Sequence, residues 1–214
     1  MFDDFPHSTF GFIDDGKQNH LLIMTKYIKS DHLQVIKFAT KILEEGGVII
    51  YPTDTLYGFG ADATNDEAID KINQIKGRKG PMSVMAPDKN TAIAWMNIIN
   101  EQIELIKSHL GGAQTLIAPV KPNIVSTKIL GENNTLGIRI PDDRFCNELS
   151  YNFKKPIVTT SVNFSGEKAM NDPIQIESKF KSKVDLIIHN GTLADSKGSI
   201  IYKINDKKIT VLRK

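Results

Sequence analysis

Arginine is rare in this chain, at four of its 27 basic residues, and two of the four stand in short polar segments suited to ligand binding. Arg78 closes Lys76-Gly77-Arg78, and Arg139 is the centre of Gly137-Ile138-Arg139-Ile140-Pro141. A chain that uses lysine wherever a bare positive charge suffices reserves arginine for another task. The planar guanidinium grips carboxylate or phosphate through two parallel N–H bonds, which an ammonium cannot copy. Two more segments add compact donors and acceptors. Pro52-Thr53-Asp54-Thr55-Leu56-Tyr57-Gly58-Phe59-Gly60 and Thr160-Ser161-Val162-Asn163-Phe164-Ser165-Gly166 carry hydroxyls, a carboxylate and an amide. Converging, these groups would hold an anion. Singly, each has an ordinary reading too: cations at a helix end complement its dipole, and Thr, Asp, Asn and Gly build routine turns.

The elements that would position them are legible in the hydrophobic pattern. Leu33, Ile36, Ala39, Ile42 and Leu43 recur at helical spacing, and Gly46-Gly47 ends that helix. Val48 to Tyr51 is a short β-branched strand stopped by Pro52. Asp66 is expected to cap a second helix through Ala68, Ile69, Ile72 and Ile75, which delivers Lys76-Gly77-Arg78 at its end. Further strands are expected at 82–85, 115–118, 136–140, 157–160 and 185–188, with helices around 101–107, 144–151 and 174–180. A closing hairpin pairs 199–204 with 209–212 across the turn Asn205-Asp206-Lys207-Lys208. Alternation of this kind predicts an α/β domain, a twisted and mostly mixed sheet flanked by helices.

Length and composition narrow the function. A chain of 214 residues supports one domain with a sizeable core. Residues 30–214 are read as that domain, and residues 1–29, with Phe2, Phe5, Phe10 and Phe12 in no regular period, as an extension, mobile or pinned by its phenylalanines. A formal charge of +2 excludes a strongly basic nucleic-acid-binding domain, so any RNA contact is weak and local. No apolar run approaches the roughly 20 residues of a membrane span. The single cysteine, Cys146, is expected to be an inert thiol, and the cytoplasm is the expected location.

In their order and spacing the four segments resemble the threonylcarbamoyl-AMP synthase family, the YrdC-type domain, over nearly all of residues 30–214. The matching stretches are 47–58, Lys76-Gly77-Arg78, 137–141 and 161–166. The resemblance implies a concave, positively charged cavity on a twisted α/β sheet. It also implies the reaction of L-threonine, bicarbonate and ATP to L-threonylcarbamoyladenylate and pyrophosphate, which feeds a downstream tRNA threonylcarbamoyl-transferase machinery. Mg2+ would accompany the ATP. Lys76, Arg78, Ser161 and Asn163 would be the catalytic group, with Lys76 and Arg78 on ATP or the forming adenylate and Ser161 with Asn163 on nucleotide or carbamate. Thr53, Thr55, Tyr57, Thr115, Arg139 and Ser199 would bind substrate, Thr55 and Arg139 on the threonine side.

Departures from the family pattern are local. The loop Lys79-Gly80-Pro81-Met82 is shortened, and Met85 stands where relatives often carry histidine. Gly111-Gly112-Ala113-Gln114-Thr115 keeps the threonine of the Pro-Gly-Pro-x-Thr motif but loses both prolines, and a Ser-Thr pair becomes Gly198-Ser199. The alternative from another class is a non-catalytic RNA-binding or ribosome-assembly module on the same surface, where Lys76, Arg78 and Lys79 would contact phosphate.

Overall fold

The structure is a computed structural model describing residues 26–206 and 208–214. Its first elements are β1 (Lys26–Lys29), α1 (Val35–Glu44), β2 (Ile49–Tyr51), β3 (Gly58–Gly60), α2 (Asp66–Lys76) and β4 (Ser83–Met85). The chain continues through α3 (Lys89–Trp95), α4 (Ile103–Lys107), β5 (Gln114–Pro119), β6 (Thr135–Arg139), α5 (Arg144–Phe153) and β7 (Ile157–Ser161). It closes with α6 (Pro173–Phe180), β8 (Leu186–His189), β9 (Ile200–Asn205) and β10 (Lys208–Arg213). The ten strands form one mixed sheet in the order β1-β8-β2-β3-β7-β4-β6-β5-β9-β10. Among the described residues no helix is long and apolar enough to cross a membrane.

Strand alternation divides the core between the two faces. Ile49, Tyr51, Met85, Ile157, Leu186 and Ile188 pack with Ala39 and Leu43 of α1 and Phe145, Cys146 and Leu149 of α5. Their neighbours Ile50, Val84, Val158 and Ile187 join Ile69 and Ile72 of α2 and Ile176 and Phe180 of α6 on the other face. The α1 and α5 helices cover only part of their face. Further along the same strands, Ser83, Thr159 and Ser161 occupy positions in step with Met85 and Ile157 but lie in an open hollow.

The expected architecture is present, and its edges differ in instructive ways. Lys26–Lys29, assigned from sequence to the extension, is a strand paired parallel with β8, so the sheet begins before residue 30. The remainder of that extension, residues 1–25, lies outside the described residues. Leu33 is fully exposed rather than on the apolar face of α1, whose buried positions are Val35, Ala39 and Leu43. Asn65, not Asp66, caps α2: its side chain accepts the N–H groups of Glu67 and Ala68, and Asp66 and Glu67 sit in the first turn where the dipole favours them. Gly58–Gly60, read as loop, forms β3 between β2 and β7, where Tyr51 packs so closely that a Cβ on Gly60 would lie 2.7 Å from its ring. Helix α3 was not foreseen. Asn205 pairs with Lys208, so the closing turn is two residues shorter than expected, with Asp206 at a left-handed φ of 49°.

Candidate functional site

The hollow measures about 620 Å3 and is lined entirely by strand and loop residues. Its floor is the uncovered part of the sheet, with Ser83, Thr115, Thr159, Ser161 and Ile201 from four neighbouring regions. Gly137 lies beneath: a Cβ there would come within 2.5 Å of Ser83 Oγ and 3.2 Å of Thr115 Cγ2, so the floor stays low because this position is bare. Five basic residues, Arg78, Arg139, Lys168, Lys197 and Arg213, line it against one carboxylate, Glu167. Preorganised cations over a floor of hydroxyls suit a polyanionic ligand.

The structure brings together Arg78, Ser161, Asn163, Thr53, Thr55, Thr115, Arg139 and Ser199, all in the lining of this one hollow. Lys76 and Tyr57 are placed differently. Lys76 is only 2 % exposed, at the buried end of α2, and its ammonium donates to Ser161 O at 2.6 Å, Asn163 Oδ1 at 2.8 Å and Asn163 O at 3.2 Å. All three of its N–H bonds are taken by protein, and the Phe59 ring lies 5.5 Å away. Burial, and then the charge of Arg78, push its pKa down to about 8. Lys76 is therefore a strut under the 161–163 turn, its ammonium turned to protein oxygens and not to the hollow where the expected contact with ATP or the adenylate would lie. Tyr57 is buried in the main core; its hydroxyl donates to Gly191 O at 2.7 Å and accepts the Asn190 N–H at 3.0 Å, pinning the loop after β8. It supports the site from below and does not line it.

Gly77 ends α2 with φ 67°, a left-handed cap that turns the chain so that Arg78 points into the hollow. Among the described residues the Arg78 side chain has no carboxylate partner. On the opposite strap, Ser161 Oγ and Lys76 share Asn163 Oδ1, and Asn163 Nδ2 donates to Glu167 O at 2.8 Å. The Asn163 amide is thus locked in orientation by three bonds.

The other end of the hollow is organised by hydroxyls. Thr53 Oγ1 donates to Leu56 O at 2.8 Å and accepts the N–H groups of Thr55 and Leu56, so this side chain shapes the loop after β2. Thr55 Oγ1 accepts from Arg139 Nη1 at 3.2 Å. The second Arg139 nitrogen, Nη2, pairs with Asp54, whose other oxygen accepts the Asp142 N–H at 2.9 Å. Thr115 and Ser199 hydroxyls are bonded to each other at 2.7 Å. Arg213 donates to Ser199 O at 2.8 Å, and burial, then the charge of Arg139, lower its pKa.

Sequence reasoning missed Asp54, Arg213, Glu167, Lys168 and Lys197 as site residues. Arginine rarity was itself the signal for Arg213, which is as uncommon a choice as Arg78 or Arg139. Arg144, the fourth, is exposed and paired with Glu148 on α5. Met85 shares the face of Ser83 but lies under α5, away from the hollow, so the missing histidine side chain is not replaced at the floor. Cys146 is buried with its thiol 3.4 Å from Pro52 O, and burial holds it protonated.

A sequence model described as "Telomere recombination", that of Sua5, YciO and YrdC proteins, matches residues 41–214. This chain belongs to the Sua5/YciO/YrdC family. A Methanocaldococcus jannaschii protein provisionally named threonylcarbamoyl-AMP synthase is 33 % identical over 200 residues, covering 92 % of this chain and 94 % of that one. The crystal structure of E. coli YciO superposes with a TM-score of 0.78 at 27 % identity, over 88 % of this chain and 94 % of that one. The fold is also that of P. abyssi Sua5 complexed with L-threonine, with a TM-score of 0.77 at 23 % identity over 88 % of this chain and 56 % of the other. These chains share the mixed α/β fold.

Proposed function

We propose that this chain is an L-threonylcarbamoyladenylate synthase, a nucleotidyltransferase that makes threonylcarbamoyl-AMP and pyrophosphate from L-threonine, bicarbonate and ATP for tRNA modification. The observation that carries this reading is one hollow holding two differently managed arginines: Arg78, without a carboxylate partner among the described residues, and Arg139, paired with Asp54. A ligand with a strongly charged phosphate end and a weakly charged amino-acid end matches that arrangement. The name of the M. jannaschii relative and the L-threonine held by P. abyssi Sua5 support the same substrates.

The threonine amine and bicarbonate condense to an N-carboxy-threonine with loss of water. One carbamate oxygen then attacks the α-phosphorus of ATP, a P–O bond forms, the bond to the bridging oxygen breaks, and pyrophosphate leaves with that electron pair. Negative groups are crowded together at this step. Arg78, with Arg213 of β10 and Lys197 of the loop before β9, offsets the charge growing on the phosphate oxygens. Ser161 and Asn163, locked by the Lys76 strut, present hydroxyl and amide groups to the nucleotide or carbamate. Arg139 and Thr55 take the threonine carboxylate, and Thr115 with Ser199 face the substrate as a bonded hydroxyl pair. Holding both reactants in one hollow supplies much of the acceleration by proximity.

Magnesium belongs with the nucleotide as Mg–ATP. Among the described residues no group of three His, Cys, Asp or Glu side chains could cage a metal, and the lining has only Glu167 as carboxylate. Incubation of the purified protein with ATP, bicarbonate and L-threonine, followed by rapid mass spectrometry, should reveal threonylcarbamoyl-AMP. Binding of RNA with no adenylate product, under conditions where a known synthase gives it, would instead favour a non-catalytic module.

A further inference from the structure

Arg139 is buried in the wall of the hollow at 7 % exposure, and its charge is answered by a carboxylate that does not line the hollow at all. Asp54 is 10 % exposed at its side chain, and both of its oxygens are occupied, one by Arg139 Nη2 and the other by the Asp142 N–H. Arg139 in turn spends one N–H on Asp54 and one on Thr55, while its Nε has no partner. The guanidinium is therefore fixed in orientation, carries spare donors, and contributes little net charge to its surroundings. Among the described residues Arg78, at the other side of the same hollow, has no such counterion.

We propose that Asp54 is the positioning residue of the amino-acid subsite: by clamping and neutralising Arg139 it makes that subsite prefer a zwitterionic amino acid over a simple anion. The inference rests on the amino-acid reading of this subsite given above. A bare buried guanidinium attracts any carboxylate or phosphate, including a misplaced triphosphate. An Arg–Asp pair offers the same fork of donors without the net charge, so a ligand carboxylate gains there chiefly when its own negative charge is balanced by an ammonium. The pair also lowers the repulsion between Arg139 and Arg213, whose pKa is depressed by burial first and by the charge of Arg139 second. Asp54 acts through Arg139 and touches no ligand. The Asp142 N–H keeps its carboxylate from swinging into the hollow, tying the loop after β2 to the loop after β6.

Two ligands separate this role from mere support of the fold: L-threonine and 3-hydroxybutyrate, which lacks only the α-amino group. Their dissociation constants are measured by calorimetry for the wild type, Asp54→Asn and Asp54→Glu, with an unreactive ATP analogue as control. The wild type should prefer threonine. In Asp54→Asn, which can still accept the Asp142 N–H but carries no charge, the preference should fall by about tenfold, because an unanswered Arg139 favours the net anion. Asp54→Glu keeps the charge and should restore the wild-type preference even if both ligands bind more weakly, and it should bind the nucleotide analogue as the wild type does. An unchanged threonine-to-hydroxybutyrate ratio in Asp54→Asn overturns the proposal, as does an equal loss of the ratio in the Glu variant. If the wild type binds threonine selectively yet forms no adenylate, the catalytic reading fails and this one stands. If it binds neither ligand, both fail.

Discussion

One face of one sheet serves two purposes. Under α1 and α5 its strands present Ile49, Tyr51, Met85, Ile157 and Leu186 to an apolar interface, and beyond the helices the same strands present Ser83, Thr159 and Ser161 to an open hollow. Strand β7 makes the change within three alternate residues, Ile157 to Thr159 to Ser161. The covered half is stabilised by removing apolar surface from water. The open half is built from groups that bond one another and keep donors for a ligand. Stability and binding are thus segregated along the strands, and substitutions on either side of the boundary should separate cleanly.

The largest effect is expected under the helices. Leu149→Ala on α5 removes a fully buried side chain and should cost about 2–5 kcal/mol in chemical denaturation, while the protein that remains folded keeps its substrate affinities. A matching loss of substrate affinity in folded protein would break the segregation. Arg78→Ala in the open half should do the reverse: a fall of about 100-fold or more in kcat/KM at little cost in Tm, since among the described residues its guanidinium has no carboxylate partner to strand. Near-normal turnover there would remove Arg78 from the chemistry.

Lys76 lies at the boundary and sharpens the comparison through pH. Its pKa is lowered to about 8 in the fold against about 10.4 in an unfolded chain, so between these values the unfolded state binds more protons and stability rises with pH. Denaturation at pH 7.5 and 9.5 should show the wild type gaining relative to Lys76→Met; a gain of equal size in the variant would assign the effect elsewhere. The smallest effect is expected at Ser83→Ala, within about 0.5 kcal/mol in stability, because this half-exposed hydroxyl lies on the hollow side of its strand.

Much of this was legible in the sequence because the pattern and the chemistry coincide. β-branched runs gave the central strands, and the four polar segments at their ends converge on a single hollow. What escaped has physical reasons. A residue type does not reveal which way an ammonium points, so Lys76 reads as a contact for ATP or the adenylate although three backbone and side-chain oxygens draw it inside. Tyr57 lies in a motif rich in ligand-binding residues, yet its hydroxyl closes a loop 133 residues away. The ion pair of Asp54 with Arg139 spans 85 positions, and no local spacing encodes it. The β3 strand was hidden by its glycines, which have low strand propensity and are tolerated here because Tyr51 packs over them.

The most direct test is pyrophosphate release from ATP, measured with threonine and bicarbonate together and with each omitted in turn. Release that requires both, and that is lost in folded Arg78→Ala protein, is the predicted result. Release indifferent to threonine or bicarbonate, or none in a protein that binds the nucleotide, would contradict a hollow built to join a carbamate to an adenylate.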